Sequence, residues 1–212
     1  MIGARMAPKF SRDPTVEKAL RHSNADGVAF SVQVGAGETY FSAYALFLRA
    51  SAPQVALIST LPPLLGSLAQ LFSAWLGRYA GRKRLVLVGC ILQAILWLPI
   101  LLTPLWFPDR MVLALLVLLI LYHGAVNLSA PQWTSIMRDL VSEKWRGRYF
   151  GYRTRLTTLT TFVALVAAGV ALDGFDKMQA TYVGFVAIFL IAFVARAVSA
   201  YQLTFLHVTV PS

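Results

Sequence analysis

The chain has 212 residues, of which 58% are hydrophobic and 13% are charged. This composition leaves too little polar surface to cover a water-soluble protein of that length, and it indicates that a lipid bilayer solvates much of the chain. The net charge of +10 would suggest a nucleic-acid partner in a soluble protein, but nearly all the basic residues fall between apolar runs and not along one helical face. We therefore expect no nucleic acid as a partner, and we expect basic loops beside anionic lipid headgroups.

The first 26 residues form a basic segment that we predict to be cytoplasmic and uncleaved. Within it, Asp13 and Pro14 followed by Glu17 are typical of an N-cap, a first-turn proline and an acid that complements the helix dipole. A short interfacial helix is therefore predicted to begin there.

Six apolar blocks follow, each close to the roughly 20 residues that a membrane-spanning helix needs. They cover residues 27–48, 55–76, 85–102, 111–137, 156–172 and 181–198. The fifth block gives the weakest signal, because threonines lower the apolar character of its first turn. The pattern predicts an all-α membrane protein, with a bundle of six transmembrane helices over residues 27–198 and a cytoplasmic C-terminal segment over residues 199–212.

Basic residues divide unequally between the two sides that this topology defines. Fifteen lie in the N-terminal segment and in segments 78–84 and 138–155, whereas three lie in the opposite loops. Because basic loops stay in the cytoplasm, both termini are predicted to be cytoplasmic. We expect an integral, multi-pass protein of the plasma membrane or an inner membrane.

Glu38 is the carboxylate that falls inside an apolar block, about eleven residues into the first helix and near mid-membrane at about 1.5 Å of rise per residue. An isolated charge at that depth costs at least a few kcal/mol, so the side chain should be protonated, paired or directed into a polar cavity. A carboxylate that couples transport to a proton or cation, or that contacts the substrate, is one interpretation. A protonated acid that is hydrogen-bonded to a neighbouring helix is the other.

Polar side chains also recur on the first and fourth predicted helices. His123 and Asn127 are four residues apart and share a helix face, with Gln132 further along it. We predict that these residues and three on the first helix line a central solute cavity. The three are Gln33, Tyr40 and Tyr44. The alternative is that they join neighbouring helices, and Gly35 and Gly37 likewise indicate close helix packing.

No catalytic motif accompanies these residues: the chain has no Gly-x-Ser-x-Gly elbow, no His-Glu-x-x-His pair and no phosphate-binding glycine loop. Its single cysteine, Cys90, excludes an intramolecular disulfide and a cysteine metal cluster. We therefore predict no metal, no cofactor and no enzymatic activity, with a six-helix intramembrane enzyme as the least favoured alternative.

Segment 78–84, between the second and third blocks, resembles the loop motif of the major facilitator superfamily, which is Gly-x-x-x-Asp-Arg-x-Gly-Arg-Arg/Lys. The second half of the motif matches at Gly81, Arg82 and Lys83. The first half departs from it at three positions, which are Ala74, Arg78 and Tyr79.

The segment after the fourth block resembles a second pattern of the same family, Asp…Arg-Gly-Arg…Gly. The resemblance implies a charge network that locks or releases one state of a transporter on the cytoplasmic side, with lipid contact alone as the alternative. The gating loops that it implies contain Gly81, Arg82, Lys83, Arg138, Asp139, Arg146, Gly147 and Arg148.

The resemblance also implies a function, namely secondary transport of a small solute by alternating access, with or without a coupled proton or cation. The family fold has two six-helix halves with the substrate site between them, and this chain resembles the N-terminal half. We therefore expect a second six-helix half or a self-copy as partner, or else a piece of a transporter of about twelve helices. Residues 166–171 lack the Gly-Pro-x-x-Gly-Gly pattern of drug antiporters. A non-transporting membrane scaffold or partner subunit is the alternative.

Overall fold

A computed structural model of the chain describes residues 9–206, and that part of the chain is helical without β-strands. Eight α-helices follow one another within it, with a 3₁₀ turn at Glu38–Tyr40. The α-helices are α1 (Pro14–Ala36), α2 (Phe41–Phe47), α3 (Ala52–Ala80), α4 (Arg82–Leu101), α5 (Thr103–Trp106), α6 (Met111–Leu140), α7 (Glu143–Lys177) and α8 (Thr181–Thr204).

Five of the helices are long and apolar enough to cross a membrane, namely α3, α4, α6, α7 and α8. They contain the second to sixth predicted blocks, so the all-α membrane fold is confirmed. The first span is different, because polar and charged residues recur along α1 and keep it out of this set. Together, α1, the 3₁₀ turn and α2 occupy the place of the first predicted helix.

The first helix begins earlier and ends earlier than the sequence predicts. Asp13 is its N-cap, as expected, and the Asp13 Oδ1 atom accepts a hydrogen bond of 2.8 Å from the backbone N–H of Thr15. The predicted short interfacial helix is instead the first part of α1, which passes residue 27 without a break.

The prediction of one continuous helix over residues 27–48 is wrong, because α1 ends at Ala36. A Cβ atom on Gly37 would lie 2.5 Å from Cη2 of Trp97 and 2.6 Å from Cβ of Ala192. Only glycine fits at so close an approach, and its backbone leaves the helical region there, with φ −121° and ψ −69°. The break places Glu38 on a turn and not within a helix.

Five helix pairs make the main packing contacts within the described residues: α3 lies against α6, α4 against α6 and α8, and α1 against α7 and α8. Small residues allow these close approaches, as predicted for Gly35. A Cβ atom there would clash with the carbonyl oxygen of Thr161 and lie 2.9 Å from Cβ of Ala164 on α7.

Two buried clusters stabilise opposite ends of the bundle. The larger one is built on aromatic side chains with edge-to-face and tilted contacts, each worth about 0.5–1.5 kcal/mol beyond the area that it buries. Its central members are Phe41, Tyr44, Trp97, Tyr122, Phe185 and Phe189. A smaller cluster near the start of α1 contains Phe10, Leu20, Met137, Val141 and Tyr149.

Two spanning helices remain largely uncovered. Within their most apolar windows, only 6% of residues are buried in α7 and 17% in α3, against 56% in α4. Both helices therefore present long apolar faces to lipid or to another protein.

Candidate functional site

A cavity of about 720 Å³ lies between α1, α4, α6, α7 and α8. Its volume falls in the range of small-molecule sites, about 300–1,000 Å³. Aromatic and aliphatic side chains form much of its wall, including Phe30, Trp133 and Phe162, and the last of these is 61% exposed. The cavity therefore reaches the surface of the bundle beside α7.

Three charged side chains line this cavity, and Asp26 of α1 is connected to the other two, which are Arg153 and Arg196. Asp26 is 3% exposed. Its Oδ2 atom is 3.1 Å from Nη2 of Arg153, and its Oδ1 atom accepts a hydrogen bond of 2.7 Å from the Ser199 hydroxyl. A buried carboxylate is tolerated only with such partners, because charge burial costs several kcal/mol before pairing.

Arg153 of α7 connects Asp26 to two further groups. Its Nη1 atom donates to the backbone carbonyl of Ser23 and lies 3.3 Å from the Ser23 hydroxyl. The guanidinium stands 4.5 Å above the ring of Trp133 on α6. Arg153 therefore ties α7 to α1 and α6, and its charge is matched by that of Asp26.

Arg196 of α8 is the second arginine of the cavity, and it is 5% exposed. Its Nη1 atom donates a hydrogen bond of 2.9 Å to the Ser199 hydroxyl, which in turn donates to Asp26. The guanidinium lies 4.9 Å from the Phe30 ring, in a cation–π arrangement. Its Nε atom is buried and has no hydrogen-bond partner among the described residues.

Glu38 belongs to a separate polar cluster. The Tyr122 hydroxyl of α6 donates a hydrogen bond of 3.1 Å to Glu38 Oε2, and it accepts one from the side-chain amide of Gln33. Arg196 is near enough to act on Glu38 electrostatically, although no ion pair joins the two in the described chain. Gln33 and Glu38, both predicted from the sequence, are therefore connected through the Tyr122 hydroxyl.

The two tyrosines predicted on the first helix make other contacts. Tyr40 donates a hydrogen bond of 2.7 Å to the backbone carbonyl of Leu165 on α7. Tyr44 donates one of 3.1 Å to the carbonyl of Leu101 and is fully buried among aromatic rings. Neither residue is among those that line the large cavity.

The polar residues of α6 face α3. The Asn127 Oδ1 atom accepts a hydrogen bond of 2.6 Å from Gln70, and Gln132 donates one of 2.8 Å to the carbonyl of Ser73. A Cβ atom on Gly66 would lie 2.7 Å from Cβ of His123, so the helices nearly touch there. The structure therefore does not gather the seven predicted residues around one cavity, and these three make or adjoin contacts between helices.

Charges at the opposite end from the aromatic cluster also pair between helices. Arg82 Nη1 is 2.6 Å from Asp139 Oδ2 and donates a hydrogen bond of 2.9 Å to the Ser135 hydroxyl. Lys83 donates one of 2.7 Å to the carbonyl of Thr204. These contacts join the start of α4 to the ends of α6 and α8.

The predicted gating loops are mostly helical, which corrects their description. Gly81, with φ +81°, is the single residue between α3 and α4, and the left-handed conformation favours glycine there. Arg138 and Asp139 lie at the end of α6, and Arg146, Gly147 and Arg148 lie in the first turns of α7. Arg146 donates a hydrogen bond of 3.2 Å to the Arg138 carbonyl, and Arg148 lies 5.4 Å from the Trp145 ring.

The sequence matches the family model of the Major Facilitator Superfamily over residues 27–205, which is most of the chain. The chain belongs to the Major Facilitator Superfamily. It is therefore an integral, multi-pass membrane protein of a family of transporters that act on small molecules. No curated protein and no solved structure matches it.

The cavity of this facilitator depends on residues that the sequence analysis did not select. Asp26 lies one residue before the first apolar block, and Arg153 was counted only as a basic loop residue. Arg196, however, is a lone charge within the sixth apolar block. A charged residue in a spanning helix is costly, so this position is the signal in the sequence by which Arg196 could have been found.

Proposed function

We propose that this chain performs secondary transport of a small solute by alternating access, as one six-helix half of a facilitator. The observation that carries the proposal is the cavity with three charged side chains, Asp26, Arg153 and Arg196, inside an apolar bundle. Buried charges in a membrane protein are costly and mark solute or ion pathways. A scaffold that only packs its helices has no need of such a cavity.

The second part of the proposal is a partner that covers the apolar faces of α3 and α7. These helices flank the bundle and bury little of their surface within it. A second six-helix half or a second copy of this chain would cover them and would close the cavity on the side of Phe162. The solute would then lie between two halves that rock against each other.

Two further contacts fit this cycle. The pair between Arg82 and Asp139, together with the neighbouring basic residues of α6 and α7, would hold the cytoplasmic side in one state and separate in the other. Glu38, held by Tyr122, would carry the coupling proton or cation. We place the protein in the plasma membrane or an inner membrane with both termini in the cytoplasm, on the basis of its basic residues.

The test measures both the mass of the protein particle and the flux of solute across a membrane. The purified chain is reconstituted in proteoliposomes, and charge movement and solute uptake are recorded across panels of anions, cations and neutral solutes. Light scattering corrected for detergent gives the mass of the protein particle. We expect a dimer, or a complex with a separate half, to carry solute down its gradient. A stable monomer that transports solute would overturn the half-transporter assignment, and a paired particle that moves none of the solutes would overturn transport.

A further inference from the structure

We propose that the solute is an organic anion and that Arg196 binds its carboxylate or phosphate group in the cavity. This inference rests on the proposed transport function, because it names the class of solute that the cavity takes. It depends on how the charges in the cavity are matched, on the unused hydrogen-bonding capacity of one arginine, and on the apolar walls around it.

The first observation is the balance of charge. The cavity is lined by one carboxylate, Asp26, and by two guanidinium groups, Arg153 and Arg196. Asp26 forms its ion pair with Arg153. Within the described residues no carboxylate lies at ion-pair distance from Arg196, so this arginine has no direct counter-ion, and Glu38 acts on it only from a longer distance.

The second observation is the state of the Arg196 side chain. A guanidinium has five N–H donors in a planar fork, and Ser199 accepts from one nitrogen of this one. The Nε atom is buried without a partner in the described chain, although the residue is 5% exposed. The Nε atom has almost no accessible surface, so a solute in the cavity would meet the Nη atoms instead. No acceptor in the described chain binds Nη2, and an anion bound there would use N–H donors that the protein leaves unmatched.

The third observation is the position of this arginine. The Ser199 hydroxyl accepts from Arg196 and donates to Asp26, so these hydrogen bonds fix the arginine while its side chain lines the cavity. The ring of Phe30, 4.9 Å away, supports the charge without neutralising it. A preorganised arginine of this kind binds carboxylate or phosphate oxygens in a defined geometry.

The other lining residues of the cavity indicate which body the anionic solute should have. Phe30, Trp133 and Phe162 offer aromatic surface, and Thr157, Thr158 and Thr161 offer hydroxyl groups. A solute with an anionic end and an apolar or sparsely hydroxylated body therefore fits better than an inorganic ion or a sugar. Glu38 would stay outside the anion contact, because it does not line the cavity.

The binding test uses three probes of nearly equal shape and different charge: benzoate, benzyl alcohol and benzylamine. Each is titrated against the chain in phosphatidylcholine nanodiscs, with thermal unfolding and Trp fluorescence as measurements. Benzoate should raise the unfolding temperature while the other two do not. Arg196→Gln should weaken benzoate binding about ten- to hundredfold, and Arg196→Lys should weaken it less because it keeps the charge but loses the fork.

The control is Arg155→Gln, which removes an exposed arginine of α7 that does not line the cavity. It should bind benzoate as the unaltered chain does. Equal binding by Arg196→Gln and the unaltered chain would overturn the proposal, and so would stabilisation by benzylamine or benzyl alcohol alone. If none of the three probes binds, the assignment of an organic anion is also overturned.

A second measurement keeps Arg196 in place, in case its replacement prevents folding. Thr158→Cys is made in a Cys90→Ser background and labelled with negatively and positively charged methanethiosulfonates, and Met178→Cys, 76% exposed, gives the reference rates. Relative to the reference, the negative reagent should react several-fold faster at position 158, and benzoate should protect that position. Equal relative rates without protection would contradict an anion site.

Lipid headgroups carry the same phosphate chemistry, so nanodiscs with phosphatidylglycerol form a separate arm. Stabilisation by this lipid with no response to benzoate would overturn the assignment to a solute. The two proposals fail differently, since binding is measured without flux. Solute flux that is insensitive to Arg196→Gln would overturn the anion inference alone, whereas benzoate binding without any flux would overturn transport alone.

Discussion

Tyr122 and Glu38 are 84 residues apart in the sequence, and their side chains are joined by a hydrogen bond of 3.1 Å between the tyrosine hydroxyl and the carboxylate. The same hydroxyl accepts a hydrogen bond from Gln33, so its proton is directed to Glu38. The contact links α6 to the turn that follows α1. A change of charge or hydrogen bonding at Glu38 would therefore act on α1 and α6, two of the helices that surround the cavity.

Replacement of Glu38 by Gln tests whether this carboxylate couples transport to a gradient. An amide oxygen can still accept the hydrogen bond from Tyr122, but the side chain can no longer exchange a proton or bind a cation as a charge. We expect gradient-driven uptake to be lost while insertion and thermal stability are kept. Uptake in proteoliposomes with an imposed pH or sodium gradient is the measurement.

The control for this substitution is Glu143→Gln, since Glu143 is exposed at the start of α7. It should leave uptake unchanged. Gradient-driven uptake that survives in Glu38→Gln would assign Glu38 to helix packing, the other role that the sequence leaves open.

The ion pair between Asp26 and Arg153 should contribute strongly to stability. Their side chains are 5% and 12% exposed, so removal of one partner leaves a buried charge without compensation. We expect Asp26→Asn to lower the free energy of unfolding by about 3–5 kcal/mol. Reversible unfolding in detergent with increasing denaturant measures this quantity.

Asp173→Asn is the matched control for Asp26→Asn. Asp173 pairs with Lys177 across one turn of α7, but the two side chains are 64% and 74% exposed. A pair of this kind contributes about 0.3–0.5 kcal/mol. Equal losses in Asp26→Asn and Asp173→Asn would show that the cavity pair does not hold α7 against α1.

The helices were more predictable from the sequence than the site, for a physical reason. Apolar runs of about 20 residues must form helices in a bilayer, so the second to sixth blocks gave α3, α4, α6, α7 and α8 directly. The break at Gly37 was not evident, because it depends on the approach of Trp97 from α4. Likewise, no local pattern indicates that Gln132 faces Ser73 while Asp26 meets Arg153.

The residues predicted to form the cytoplasmic gate were likewise predictable only in part. Gly81 has a positive φ in the turn between two helices, and the loop motif itself specifies a glycine at this position. The partner of Asp139 is Arg82 from another helix, and the sequence suggested only nearby basic residues. Pairing across helices depends on their relative rotation, which the apolar pattern alone does not determine.

Gly35 should be intolerant of a methyl group. Its Cβ would clash with the carbonyl oxygen of Thr161, and a backbone atom of α7 cannot move without separating two helices. We expect Gly35→Ala to destabilise the chain by about 1–3 kcal/mol in an unfolding titration.

Gly124→Ala gives the contrast for this substitution. A Cβ atom there has no neighbour within 4 Å, and alanine favours the helix by about 1 kcal/mol. It should leave stability unchanged or raise it. If Gly124→Ala lowers stability as much as Gly35→Ala does, the effect at Gly35 does not come from the close packing of α1 against α7.

The orientation of the chain in the membrane can be tested at the two ends of α7. This helix has 35 residues and is about 50 Å long, so positions beside its ends lie on opposite sides of a bilayer. In a Cys90→Ser background, an impermeant thiol reagent added outside intact cells should label Met178→Cys and should not label Lys144→Cys. After permeabilisation both should react, which controls for reactivity. We expect this orientation because basic residues are in excess on the side of Lys144: fifteen of the nineteen in the chain, against three on the opposite side. Labelling of Lys144→Cys from outside would reverse the topology and place the pair between Arg82 and Asp139 on the external side.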